Sequence, residues 1–88
     1  MEVTGHTGSF RIGARRAATL PTWRLTVTAD GAELRATVAD VDAYWIAQRP
    51  LTVALDVNDG QWVWRDVHAV TVTGAGVTAL LPGQPQGD

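Results

Sequence analysis

Along most of its 88 residues this chain alternates apolar and polar side chains with a period of two. Successive side chains of a β-strand point to opposite faces, so the alternation writes strands with one dry face and one wet face. Phe10, Ile12 and Ala14 alternate with Arg11, Gly13 and Arg15, and Trp23, Leu25, Val27 and Ala29 alternate with Arg24, Thr26 and Thr28. Leu34, Ala36 and Val38 flank Arg35 and Thr37, while Leu51, Val53, Leu55 and Val57 flank Thr52, Ala54 and Asp56. Val70 and Val72 alternate with Thr71 and Thr73, and Val77-Thr78-Ala79 opens a last short strand. Threonine suits the wet face, because its branched Cβ fits the pleat and its hydroxyl stays hydrated. Turn chemistry falls between the runs. Asp30-Gly31 supplies the positive φ of a tight hairpin turn, Asn58-Asp59-Gly60 a three-residue loop with a glycine bulge, and Gly74-Ala75-Gly76 a third connection. The pattern predicts a mainly β fold, a small antiparallel β-barrel or sandwich of six to seven short strands.

One segment departs from the period. Val41, Tyr44 and Trp45 recur at helical spacing with Gln48 one turn further on, Asp40 is a natural N-cap, and Pro50 forbids continuation. These residues predict one short helix near residues 40–49, too short to hold alone and therefore laid on the sheet. Residues 1–88 read as a single domain, with a β-rich core over 9–81. Residues 1–8 offer little to bury and predict a flexible N-terminal arm; residues 82–88 predict a flexible C-terminal tail.

Composition excludes several kinds of chemistry. There is no cysteine, hence no disulfide, thiolate nucleophile or zinc ribbon. His6 and His68 have no third ligand at metal-like spacing, so neither a metal nor a cofactor is expected. No signal peptide or transmembrane segment is written, and no membrane partner is expected. Phosphate-cradling and nucleophile motifs are missing, and Gly74-Ala75-Gly76 lacks the helix of a dinucleotide fold. Asp66 and His68, two apart on one strand face, are too small a set for catalysis without a nucleophile. The expectation is a protein that is not an enzyme.

Charge is uneven rather than large. The formal net charge is -2, which argues against nucleic acid as the main partner. Residues 9–28 hold Arg11, Arg15, Arg16 and Arg24 and no acid, whereas residues 50–88 hold Arg65 against Asp56, Asp59, Asp66 and Asp88. A molecule with a basic and an acidic side is suited to docking on its own copies or on a charged neighbour. The run Ser9–Arg16 reads as one arginine-bearing edge strand. Four tryptophans are many for this length: Trp23 and Trp45 read as core, whereas Trp62-Val63-Trp64 loads both faces of one strand with apolar bulk. Either that strand is covered on both sides within the chain, or one side meets a partner. The candidate interface is therefore Arg11, Arg15, Arg16, Arg24, Trp62, Trp64 and Arg65, with arginines setting orientation and tryptophans anchoring.

The opening Gly8-Ser9-Phe10-Arg11-Ile12-Gly13, a short charged stretch and then Trp23-Arg24-Leu25-Thr26-Val27-Thr28 resembles the starts of small β-rich virion proteins of tailed bacteriophages. The resemblance covers the first third of the chain. It implies a structural protein in many copies, a homo-oligomer contacting itself or other virion proteins and located in the virion; without it the expected place is the cytoplasm. The length suits a tail accessory, head–tail or capsid-decorating subunit better than a tail-tube subunit. The alternative is a small β-barrel binding module that captures a peptide, a glycan or a host protein through Trp62 and Trp64.

Overall fold

The computed structural model describes residues 1–38, 46–74 and 76–87. They form ten strands: β1 (Glu2–Gly5), β2 (Gly8–Ile12), β3 (Arg15–Leu20), β4 (Trp23–Thr28), β5 (Gly31–Thr37), β6 (Leu51–Val57), β7 (Gly60–Val67), β8 (Ala69–Thr73), β9 (Gly76–Pro82) and β10 (Gln86–Gly87). Every pairing is antiparallel, in one sheet of order β1-β4-β5-β9-β8 and a second of order β10-β7-β6-β2-β3. Hairpins are dealt alternately to the two sheets. β2–β3 and β6–β7 build one, β4–β5 and β8–β9 the other, and the terminal strands β1 and β10 each complete an edge.

The mainly β class and the antiparallel pairing follow from the alternation. The strand count is higher than the six to seven expected, and the two sheets share no strand. Three strands escaped the pattern. The run Ser9–Arg16 is a hairpin rather than one edge strand. Gly13, at φ 57°, turns the chain back, so β2 lies inside its sheet between β3 and β6. The expected N-terminal arm holds β1, whose Val3 lies opposite Leu25 of β4, and Gly8 already begins β2. The expected C-terminal tail returns to pair Gln86 and Gly87 with Val63 and Trp62. Backbone pairing needs no apolar side chain, which is why these ends carry no periodic signal. The helix expected near residues 40–49 rests mainly on residues 40–45, outside the described residues, as does Trp45.

Leu25, Leu34, Val77, Ala79 and Leu81 of the first sheet and Phe10, Leu20, Leu51, Val53, Leu55, Trp64 and Val67 of the second bury into one shared core. Two bulges keep the inward sets in phase. Phe10 faces Ala18 and Arg11 faces Arg16, so Ala17 is an extra residue and both alanines are buried. In β7, Trp64 faces Val53 and Val67 faces Leu51, leaving Arg65 and Asp66 against Thr52. Asp66 takes φ 59°, and that left-handed step returns Val67 to the core after the tryptophans.

Candidate functional site

Three of the proposed interface residues share one end of the second sheet, and a fourth joins them. Arg11 lies opposite Arg16 on β3 and Thr52 on β6, while Arg65 belongs to the bulge opposite that same threonine. Arg15 follows the Gly13-Ala14 turn at the tip of this hairpin. Arg49, two residues before β6, adds a fifth guanidinium at this level, its Nη2 donating to the His68 carbonyl at 2.8 Å. Asp66 belongs to the same bulge as Arg65.

The arginines also roof the outer face of the sheet. Ser9, Ala54 and Val63 stand in one cross-strand row on the side away from the shared core, yet all three are buried. Arg11 Nε donates to Ser9 Oγ at 3.2 Å and Arg65 Nε donates to Gln86 Oε1 at 3.2 Å, laying their stems across the row. Arg11, Arg65, Gln61, Thr52 and Val63 border a shallow depression of about 160 Å³ there. The strand that loads both faces with apolar bulk is therefore covered on both sides within the chain. Trp64 is only 2% exposed, and Trp62 is partly buried beside it, the two rings meeting edge to face at 6.4 Å. Trp64 belongs to the core and cannot anchor a partner; its neighbour Trp62 keeps a surface.

Arg24 does not join the basic end. It projects from the outer face of the other sheet, opposite Arg35, and its nearest acid is Glu2 at 3.9 Å, both side chains being exposed. Its place follows from connectivity, since the chain changes sheets after Leu20.

The opposite end of the second sheet is acidic, and the sequence pattern did not single it out. Asp56 is the second-last residue of β6 and the Asn58-Asp59 turn follows the strand, beside the bend at His6 that links β1 to β2. Asp56, Asn58, Asp59, His6, Thr7, Thr4 and Trp62 border an open cleft of about 580 Å³. Gln61 Nε2 donates to Asp56 Oδ1 at 2.8 Å, fixing one carboxylate at the rim. The floor is rigid because the Thr7 carbonyl accepts from Trp23 Nε1 at 3.0 Å and from the Asp56 amide at 2.9 Å, tying the two sheets together. Asn58-Asp59-Gly60 was legible as a turn. That its carboxylate meets Asp56, His6 and Trp62 depends on sheet packing, which one strand's pattern does not carry.

Beside this cleft, Trp62 and Trp64 also line an apolar slot of about 150 Å³ with Leu25, Val27, Met1 and Pro85. No hydrogen bond or ion pair joins Asp66 to His68 among the described residues, and the left-handed step at Asp66 breaks the strand parity that the pairing assumed. Among the described residues no group of three or more His, Asp or Glu side chains is placed to hold a metal ion, and no helix is long and apolar enough to cross a membrane. No family model, curated protein or solved structure matches this chain.

Proposed function

We propose that this chain is a non-enzymatic assembly subunit, of the kind that tailed bacteriophages use as tail, head–tail or capsid accessory proteins, acting by self- or hetero-oligomerisation. One observation carries the reading: the second sheet has a basic end at Arg11, Arg15, Arg16, Arg49 and Arg65 and an acidic cleft at Asp56 and Asp59. Arg11 is level with Thr52, four residues from Asp56 with the Asn58-Asp59 turn beyond, so the two ends lie roughly 13–20 Å apart by strand rise. That exceeds the roughly 8 Å Debye length of physiological salt, so each end presents its own field to an approaching molecule. Complementary ends favour head-to-tail docking and penalise like-to-like encounters. A domain of 88 residues also gains stability from surface buried in an assembly.

Salt and charge reversal test it. Light scattering should find oligomers near about 0.05 M salt that dissociate near about 1 M, where screening falls to about 3 Å. Arg16→Glu and Asp59→Arg should each reduce association. Their equimolar mixture should recover association, because the basic end of one variant still fits the acidic end of the other. A wild-type chain that stays monomeric at low salt and high concentration overturns the reading.

A second reading, a glycan- or peptide-binding module, is favoured by Trp62, which lines the 580 Å³ cleft together with Asp56 and Asp59. Trp62→Ala separates the two: it removes ligand binding and spares salt-dependent oligomers if the cleft is a ligand site.

A further inference from the structure

Each sheet ends in two edge strands, and the four edges differ in protection. β3 carries Arg15 and Arg16, β1 carries Glu2, and β10 is two residues long. Charge and brevity are the usual devices that stop an edge from pairing with another chain. β8 has neither. Its sequence Ala69-Val70-Thr71-Val72-Thr73 contains no charge, glycine or proline, and all but the alanine are β-branched. Among the described residues it pairs with β9 alone. Val72 is 37% exposed although Val77 opposite it is buried, and Leu80 on β9 is 58% exposed. Such an edge presents unpaired amides and carbonyls along a strand already held extended by its neighbour.

We propose that β8 is a docking edge for a second copy of this chain, pairing antiparallel with that copy's β8 about a two-fold axis through Thr71. The strand is self-complementary in that register. Thr71 falls opposite itself, Val70 opposite Val72 on both sides of the axis, and Ala69 opposite Thr73. Valine meets valine on the inner face, threonine meets threonine or alanine on the outer face, and no like charges oppose. The contact is isologous and closed, and joins two five-stranded sheets into one continuous sheet. It rests on the assembly reading for its partner, a copy of the chain, but uses backbone hydrogen bonds where the charged ends use electrostatics.

The absence of cysteine makes a register test clean. Across antiparallel strands, directly opposite Cα atoms lie about 4.5–5.5 Å apart, inside the window of about 4.4–6.8 Å that a disulfide spans. Thr71→Cys in the full chain should therefore give a covalent dimer under mild oxidation. Thr73→Cys places its two thiols roughly 13 Å apart along the strands and should cross-link at least about tenfold more slowly. Mixed Ala69→Cys and Thr73→Cys chains should cross-link to each other. Equal, slow cross-linking of the Thr71 and Thr73 variants, both folded by circular dichroism and both reactive toward a thiol reagent, overturns the proposal. Salt keeps the two readings apart. Thr71-specific cross-linking that persists at high salt, without salt-sensitive oligomers, supports the edge and removes the charged-end reading; salt-sensitive oligomers without it do the reverse.

Discussion

Trp23 and Trp64 are 3% and 2% exposed, sit in the same core and differ chiefly in the fate of one atom. Trp23 Nε1 donates to the Thr7 carbonyl at 3.0 Å, whereas Trp64 Nε1 is buried with no acceptor. Replacing each by phenylalanine deletes the same atoms, so lost transfer energy and residual cavity should be alike, about 1–2 kcal/mol in each case. The hydrogen-bond contribution then separates them. Trp23→Phe forfeits a net bond of about 1 kcal/mol but leaves no orphan, because the Asp56 amide still donates to the Thr7 carbonyl. Trp64→Phe removes a donor whose desolvation is uncompensated and recovers about 1–3 kcal/mol. The first variant should lose about 2–3 kcal/mol, and the second should lie close to wild type, a gap of about 2–4 kcal/mol. For a domain of this length such a gap separates the midpoints of thermal unfolding by about 10 °C or more. Urea unfolding followed by far-ultraviolet circular dichroism avoids the changed fluorescence baseline, and equal m-values would show that the unfolded states are comparable. If Trp64→Phe loses as much stability as Trp23→Phe, the reasoning is refuted.

Two further outcomes follow from packing. A Cβ added at Gly5 would overlap the indole ring of Trp23, its cross-strand partner, so Gly5→Val should destabilise by about 1–3 kcal/mol and alter the near-ultraviolet spectrum; unchanged denaturation would show that the ring can move aside. Deleting residues 83–88 removes β10 and the Gly83–Pro85 wall of the slot lined by Trp62 and Trp64. Acrylamide quenching should then rise and emission shift to the red, and unaltered quenching would mean that the wall does not shield the indoles.

The fold was legible where one side of a strand is dry and the other wet. β4, with Trp23, Leu25 and Val27 against Arg24, Thr26 and Thr28, and β6, with its leucines and valines, announce themselves because their outer faces meet solvent or polar stems. β3 was hidden because the bulge buries Ala17 and Ala18 together, which destroys the period. β1 and β10 were hidden because their strand character lies in backbone pairing with β4 and β7. Of the candidate site, charge arithmetic grouped Arg24 with Arg11, Arg15 and Arg16 and left Arg65 in the acidic half of the chain, whereas strand pairing brings Arg65 beside Arg11 and a change of sheets carries Arg24 away, neither of which a local pattern records. Trp64 was ambiguous for a definite reason. Val63 fills the outer face as well, and only the placement of Arg11 and Arg65 over that face shows that no partner is needed to cover it.

The alternate dealing of hairpins between the sheets constrains how the chain must fold. Each hairpin closes locally, yet its lateral partner arrives far downstream: Phe10 waits for Val53, and Leu34 waits for Ala79. A nascent chain truncated before β9 has neither sheet complete, and its exposed valine-rich ribbons have nowhere of their own to go. Acquisition of the native state is therefore a late event on the millisecond-to-second scale typical of non-local β topologies, in which the last hairpin, β8–β9, completes the first sheet and β10 then completes the second.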